Sequence, residues 1–226
     1  ETYPYHQWKY GTTAHGISGF AYTGQGTGLI GANVAIALAV NGTAITTIGT
    51  VNTGANSMYY YLLEDSQLAS GNKILAYVDN NATDGNTVTI AGSAGIPLSG
   101  GIGLDIYGST LIVRHETGSS ITNADIGTAK GSLSDADIIF SLDGSNNLTI
   151  ASGNLTIWTN KTYAPGANVS CTTHYNNGTL QLQGTETLTI TNKDTDSGTV
   201  EYVGTTDALN YGNTYYNIKF NNASGS

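Results

Sequence analysis

The chain is poor in the residues that most specialised chemistry requires. Its 226 residues include one cysteine, one methionine and three prolines, and Arg114 is the single arginine. Seven basic residues against sixteen acidic ones give a net charge of −9. Nucleic-acid binding takes several basic side chains on one face, so that class is set aside. The lone Cys171 allows neither an internal disulfide nor a cysteine-paired zinc site. It is expected to pack as a small apolar residue. The most apolar stretch, LIGANVAIALAV at 29–40, is shorter than the ~20 residues a membrane helix needs and contains Asn33, so no membrane span is expected. Gly-x-Ser-x-Gly is absent, and His6, His15, His115 and His174 are scattered without zinc-ligand spacing. No catalytic residue is assigned. The chain opens on Glu1 rather than Met, which fits a precursor whose leader is removed.

Charged residues make up only 10% of the chain, and hydroxyls and amides supply the polarity instead. Gly (30) and Tyr (15) are abundant beside Ser, Thr and Asn. Such side chains suit strands and turns and sit poorly in helix interiors. The hydrophobic period is two almost throughout. The one competitor for a helix is SMYYYLLEDSQLAS (57–70), where Tyr59-Tyr60-Tyr61 favours a strand. Strands are expected at 17–23, 33–40, 43–48, 57–63, 73–79 and 86–91. Asn41-Gly42 is a two-residue hairpin signal, because both residues tolerate positive φ. This spacing predicts an all-β fold that begins with an Ig-like Greek-key sandwich over 17–101, preceded by an aromatic arm at 1–16.

From 102 the strands shorten: 104–107, 110–114, 137–141, 148–150, 155–158, 179–183, 186–190, 199–203 and 215–220, separated by Gly, Asn, Ser and Asp. Short strands between tight polar corners predict a β-solenoid-like domain over 102–226, with a second β-sandwich as the alternative. Asn147-Leu148-Thr149-Ile150 recurs as Asn154-Leu155-Thr156-Ile157. The echo suggests two successive sides of one coil. GIPLSGGIG (95–103) reads as the junction between the two domains.

GISGFAYTGQGTGLIGANVAIALAVNG resembles the opening of carboxypeptidase-regulatory-like, Ig-like sandwich modules, in which a Gly-rich strand leads through a Gly–Ala turn into a long apolar strand. YYYLLEDSQLASGNKILAYVDNN is similar to their later part. LDIYGSTLIVRHETGSSITNADIGTA, SLDGSNNLTIASGNLTIWTNKTYAPGANVS and GTVEYVGTTDALNYGNTYYNIKFNNASG resemble the repeats of very large bacterial surface proteins, in which a sandwich precedes β-solenoid rungs. The resemblance covers roughly residues 16–226. It implies an extracellular or cell-surface protein that is structural or adhesive.

Three sets of side chains could carry chemistry. Asn192, Asp194 and Asp196 alternate before Gly198, like the first half of a calcium loop, although Val203 stands where that loop carries a bidentate Glu. Calcium is the one cofactor considered. DNNATDG (79–85) and the pair Asp135 and Asp137 offer further carboxylates, and Arg114, His115 and Glu116 gather in VRHET, where the plain reading is an exposed ion pair. Asn-x-Ser/Thr triplets fall at Asn41, Asn81, Asn147, Asn154, Asn160, Asn168, Asn177 and Asn222, acceptors for glycans in a host that attaches them.

The termini point to assembly. Tyr3, Tyr5, Trp8 and Tyr10 stud the arm, and Tyr216, Ile218 and Phe220 share one face of the last strand. Either terminus could add a strand to a neighbouring subunit, and head-to-tail contacts propagate into filaments. The expected function is therefore a non-enzymatic structural subunit of a surface filament, fibre or layer. Its partners are further copies of itself or other surface proteins. The alternatives are a carbohydrate-binding adhesin using Trp158, Tyr175 and Tyr211, and a β-helix polysaccharide lyase, for which Arg114 would need several converging acids.

Overall fold

The structure is a computed structural model that describes residues 15–46, 49–64, 66–92, 103–205 and 208–221. Tyr3, Tyr5, Trp8, Tyr10 and Asn222 lie outside the described residues. In chain order the first strands are β1 (His15–Gly24), β2 (Thr27–Leu29), β3 (Ala35–Val40), β4 (Thr43–Ala44), β5 (Val51–Asn52), β6 (Met58–Leu63), β7 (Lys73–Asp79) and β8 (Asn86–Ile90). Next come β9 (Ile106–Tyr107), β10 (Thr110–Val113), β11 (Ser120–Ile121), helix α1 (Asn123–Lys130), β12 (Phe140–Leu142), β13 (Leu148–Ile150), β14 (Asn154–Ile157) and β15 (Thr162–Tyr163). The last are β16 (Val169–Asn176), β17 (Thr179–Leu182), β18 (Leu188–Lys193), β19 (Thr199–Tyr202) and β20 (Asn217–Phe220).

The protein is mostly β, built from three sheets. A curled mixed sheet of eleven strands starts with the antiparallel ladders of β3, β4, β5, β7 and β8. It continues in parallel from β8 to β10, β14 and β16, with β13 and β18 also parallel to β16 and β12 closing antiparallel on β13. A four-stranded sheet holds β2, β1 and β6, with β9 parallel to β1. The third sheet, β11-β15-β17-β19-β20, is parallel throughout. The eleven-stranded and four-stranded sheets both draw strands from either side of residue 102.

The central strands β7, β8 and β10 of the large sheet are buried on both faces. On β7, Ile74, Ala76 and Val78 join a core with Ile17, Ala21, Tyr59, Tyr61, Leu63, Leu104 and Ile106 of the small sheet and its approach. Leu75 and Tyr77 point the other way, into a core shared with Leu180, Leu182, Val200 and Tyr202 of the parallel sheet. The near-continuous apolar run of KILAYVD is what a strand covered on both sides requires.

The Asn41-Gly42 hairpin forms as expected, with φ of 48° and 74°, and joins β3 to β4. A Cβ on Gly42 would sit 2.6 Å from the Cα of Gly131, so glycine is needed there for close approach to the end of α1 as well as for the turn. Of the strand expected at 43–48, residues 47 and 48 lie outside the described residues. Only Thr43–Ala44 pairs with the end of β3, and β5 takes the other end.

Three features differ from expectation. First, a helix forms at Asn123–Lys130, where none was expected, while the strand favoured at 57–63 forms as β6. A capping box nucleates α1: the Thr122 hydroxyl accepts from Asp125 N (3.1 Å), and the Asp125 carboxylate accepts from Thr122 N (3.0 Å). Ile126 and Ala129 then anchor one face in the core. Second, the polar-looking NVSCTTHYNN contains the eight-residue strand β16. Third, the repeated Asn-Leu-Thr-Ile does not turn a corner. Its copies, β13 and β14, lie in line along the two halves of β16. Ser152, at φ 56°, makes the kink between them, and Leu148, Ile150, Leu155 and Ile157 all enter the same core.

The parallel sheet keeps strict register. One ladder runs Ser120, Thr162, Thr179, Thr199, Asn217, and the next runs Ile121, Tyr163, Leu180, Val200, Ile218. At the rung corners asparagine side chains clamp the next backbone. Asn147 Oδ1 accepts from Asn168 N (3.1 Å), and Asn168 Oδ1 accepts from Thr187 N (2.7 Å). Helix α1 follows β11 and packs on β3, β7, β8 and β12, so it closes the core at that end. The opposite end finishes on the edges of β18 and β20, and among the described residues no strand pairs with their outer sides.

Candidate functional site

The two ends of the parallel sheet differ in what they expose. At the far end Leu209, Tyr216, Ile218 and Phe220 are exposed. Phe220 stacks on Tyr202, with ring centres 5.8 Å apart, and the Tyr202 and Tyr215 hydroxyls are 3.1 Å apart. Lys219 bonds Glu201 at 2.5 Å, and Gln181 reaches the other oxygen of that carboxylate at 3.0 Å, so a polar ladder runs outward along the same rungs. The sequence placed Tyr216, Ile218 and Phe220 on one face. β20 begins at Asn217, so Tyr216 stands just before the paired strand. A second apolar stripe, Met58, Tyr60 and Leu62, is exposed on β6.

The proposed calcium residues are placed in a turn that closes on itself. Asn192 lies in β18, one residue before its end, and donates to the Thr173 hydroxyl (3.3 Å). Asp194 Oδ1 accepts from the amides of Asp196 (3.0 Å) and Ser197 (3.2 Å). Its Oδ2 accepts from Asn176 N (2.7 Å) and the Ser197 hydroxyl (3.0 Å). Burial pushes the Asp194 carboxyl up, but these hydrogen bonds hold it below its ordinary value. The hydrogen bond with Asp194, and after it the charge of Asp194, raise Asp196.

Acidic ligands converge elsewhere. Oxygens of Asp79, Asp135 and Asp137 lie within 4.8 Å of one another, and Asp84 feels both Asp137 and Asp135. DNNATDG and SDADIIF each offered carboxylates in the sequence, but nothing there showed that they meet. Several of these oxygens already accept: Asp135 Oδ2 from the Tyr77 hydroxyl (3.1 Å), Asp137 Oδ2 from Asn80 N (2.6 Å) and Asp79 Oδ1 from Asn80 Nδ2 (2.7 Å). Asp84 Oδ1 is buried and accepts no hydrogen bond among the described residues. Burial first, and Asp137 second, raise the Asp84 carboxyl above its ordinary value. A raised carboxyl favours the protonated form in the fold, so its strain is absent in acid and appears as pH rises. Asp84→Asn is therefore expected to stabilise the protein at pH 7 by up to about 1 kcal/mol, given solvent screening, and to change nothing near pH 3. Urea unfolding at the two pH values checks this, and a loss of stability at pH 7 would contradict it.

The ion pair of VRHET is buried, not exposed. Arg114 is 3% exposed. Its Nε donates to Glu116 Oε1 (2.6 Å), one terminal nitrogen donates to Gly103 O (2.8 Å), and the guanidinium lies 5.1 Å from the Trp158 ring centre. Lys161 bonds the other Glu116 oxygen (3.0 Å). Enclosed in this way, the guanidinium offers no face to a polysaccharide. The sugar-stacking candidates also change. Tyr211 is fully buried against His174, Trp158 is half-buried under Arg114 and beside Tyr107, and Tyr175 is half-buried.

Of the glycan acceptors, Asn41, Asn160, Asn168 and Asn177 are exposed, and Asn81, Asn147 and Asn154 are half-buried. Asn147 Nδ2, the atom a glycan would occupy, donates to Asp143 (2.8 Å). No helix among the described residues is long and apolar enough to cross a membrane. No protein-family model, curated protein or solved structure matches the chain.

Proposed function

We propose that this chain is a non-enzymatic structural protein of the extracellular space or cell surface, which joins copies of itself into a filament, fibre or layer. The observation that carries this reading is the uncovered end of the rung stack. Ile218 and Phe220 continue ladders whose preceding members are core residues, yet they stand exposed. Stacked folds need a cap or a neighbour at each end, and an open strand edge is a template for another chain. The apolar core between the small sheet and β3 and β7 supports an Ig-like sandwich as the first unit, and the in-register parallel ladders support β-solenoid-like rungs as the second. A low content of charge and exposed Asn-x-Ser/Thr triplets fit a surface protein that could carry glycans. Other surface proteins are further candidates as neighbours, and the aromatic arm at 1–14 is a second joint through which a linked pair would extend into a fibre.

Sedimentation velocity and negative-stain microscopy of the full chain, from low micromolar to millimolar concentration, test the reading. Species that grow with concentration beyond the 23.4 kDa monomer are expected. A single monomeric species throughout would overturn it.

A further inference from the structure

We propose that the open edge of β20 pairs with the β20 edge of a second copy, antiparallel, about a two-fold axis through Ile218. This rests on the self-association reading above and adds the mate and the register. Along the parallel sheet the core-facing ladder Leu180, Val200, Ile218 goes from 2% to 3% to 41% exposed, and Leu182, Tyr202, Phe220 goes from 0% to 4% to 63%. β20 is thus an interior-type strand at a surface. Its occupant must supply both backbone partners and apolar side chains at two-residue spacing.

The segment Tyr216-Asn217-Ile218-Lys219-Phe220 supplies these to itself. Two copies of one edge related by a two-fold axis run antiparallel. Centred on Ile218, the pairing sets Ile218 against Ile218, Phe220 against Tyr216 on both sides, and Lys219 against the neutral Asn217. Centring on Lys219 would oppose two like charges, which destabilises a cross-strand pair. Centring on Asn217 would leave Phe220 opposite Thr214. A one-residue slip would set apolar residues against polar ones. Only the Ile218 register matches every pair. Tyr216, Ile218 and Phe220 leave roughly 300 Å² of apolar surface per copy, well under the ~800 Å² per partner of a standard interface. The joint is therefore weak and concentration-dependent, suited to adding to a second joint.

Cysteine cross-linking of the full chain reads the register directly, because the native Cys171 is buried. Opposed antiparallel Cα atoms lie about 4.5–5.5 Å apart, inside the ~4.4–6.8 Å a disulfide spans. Under mild oxidation Ile218→Cys is expected to form disulfide dimers. Lys219→Cys, offset by two residues from its own copy, stays monomeric alone but links to Asn217→Cys when the two are mixed. Ile218→Asp, at a position already partly exposed, keeps its circular dichroism spectrum and weakens dimerisation at least tenfold. Three results would overturn the proposal: Lys219→Cys linking to itself, Ile218→Cys linking instead to Tyr60→Cys on β6, or assembly that persists unchanged in Ile218→Asp. Each of these leaves self-association standing. A wild-type chain that stays monomeric at every concentration removes both readings.

Discussion

Replacing Arg114 by alanine is expected to destabilise the fold by about 3–5 kcal/mol, the usual cost of removing one member of a buried ion pair. The guanidinium ties together three parts of the chain, beside the Lys161–Glu116 bond (3.0 Å) and the Trp158 N to Val113 O bond (3.1 Å). It donates to Glu116 two residues on and to Gly103, which leads into β9, and it lies over Trp158, just past β14. Burial pushes the Glu116 carboxyl up. The hydrogen bonds and charges of Arg114 and Lys161 outweigh that and hold it below its ordinary value. A depressed carboxyl contributes stability above its unfolded pKa and loses it as pH falls, so the wild-type chain should lose this contribution in acid. Without Arg114, Lys161 alone faces a buried carboxylate, the Gly103 carbonyl loses its donor, and the Trp158 ring loses its cover.

The double variant Arg114→Met, Glu116→Gln separates charge from packing. Replacing both charges removes the stranded carboxylate, and a thioether chain still covers Trp158. It should be more stable than Arg114→Ala at pH 7, as for other buried pairs exchanged for less polar groups. Arg114→Lys keeps the charge but cannot reach Glu116 and Gly103 together through a planar fork, so it should fall between wild type and alanine. Guanidinium-induced unfolding ranks the three. An alanine variant within 1 kcal/mol of wild type would show that the network carries little of the fold.

Much of the strand content was legible because it rests on local pattern. Lys73–Asp79 reads as a strand, and Asn41-Gly42 as a hairpin, since both depend on neighbouring residues alone. What escaped depends on distance in sequence. His174 and Asn176 look like loop polarity in CTTHYNN, yet β16 buries them between rungs, where Asn176 Nδ2 donates to Thr199 O (3.0 Å). The Thr122–Asp125 capping box was a readable signal, but eight residues containing Gly127 give too little amphipathic pattern to stand out. At the candidate sites, the apolar spacing of Tyr216, Ile218 and Phe220 was visible, but their exposure depends on β20 lying at the edge of the parallel sheet among the described residues. The meeting of Asp79 with Asp135 and Asp137 depends on the path of the segment that carries α1. The burial of Arg114 depends on how Gly103 and Trp158 come together. None of these is a property of a short window.

His174 sets the second large effect, a loss of stability on mild acidification. The Tyr211 hydroxyl donates to Asp194 O (2.9 Å), so His174 Nδ1, 3.1 Å from the same oxygen, is the donor in that contact. Its Nε2 therefore carries the lone pair and has no hydrogen-bond partner among the described residues. Burial pushes the imidazole down to about 4, with Asp194 opposing this and Lys193 adding to it. The unfolded chain takes up the proton near the ordinary value of about 6.5. A depressed histidine gives stability that is complete above 6.5 and is lost as pH falls toward 4. The loss amounts to about 3 kcal/mol, comparable to removing Arg114. His174→Leu should be less stable than wild type at pH 7, where the contact with Tyr211 is gone, but its stability should fall less between pH 7 and pH 4, by about 3 kcal/mol. Carboxylates remote from His174, Glu116 among them, contribute the same acid slope to each and cancel in the comparison. Urea unfolding at pH 7, 5.5 and 4 gives the two slopes. Parallel curves would show that the His174 proton is not what the rung stack excludes, and converging curves would assign the acid sensitivity to this side chain.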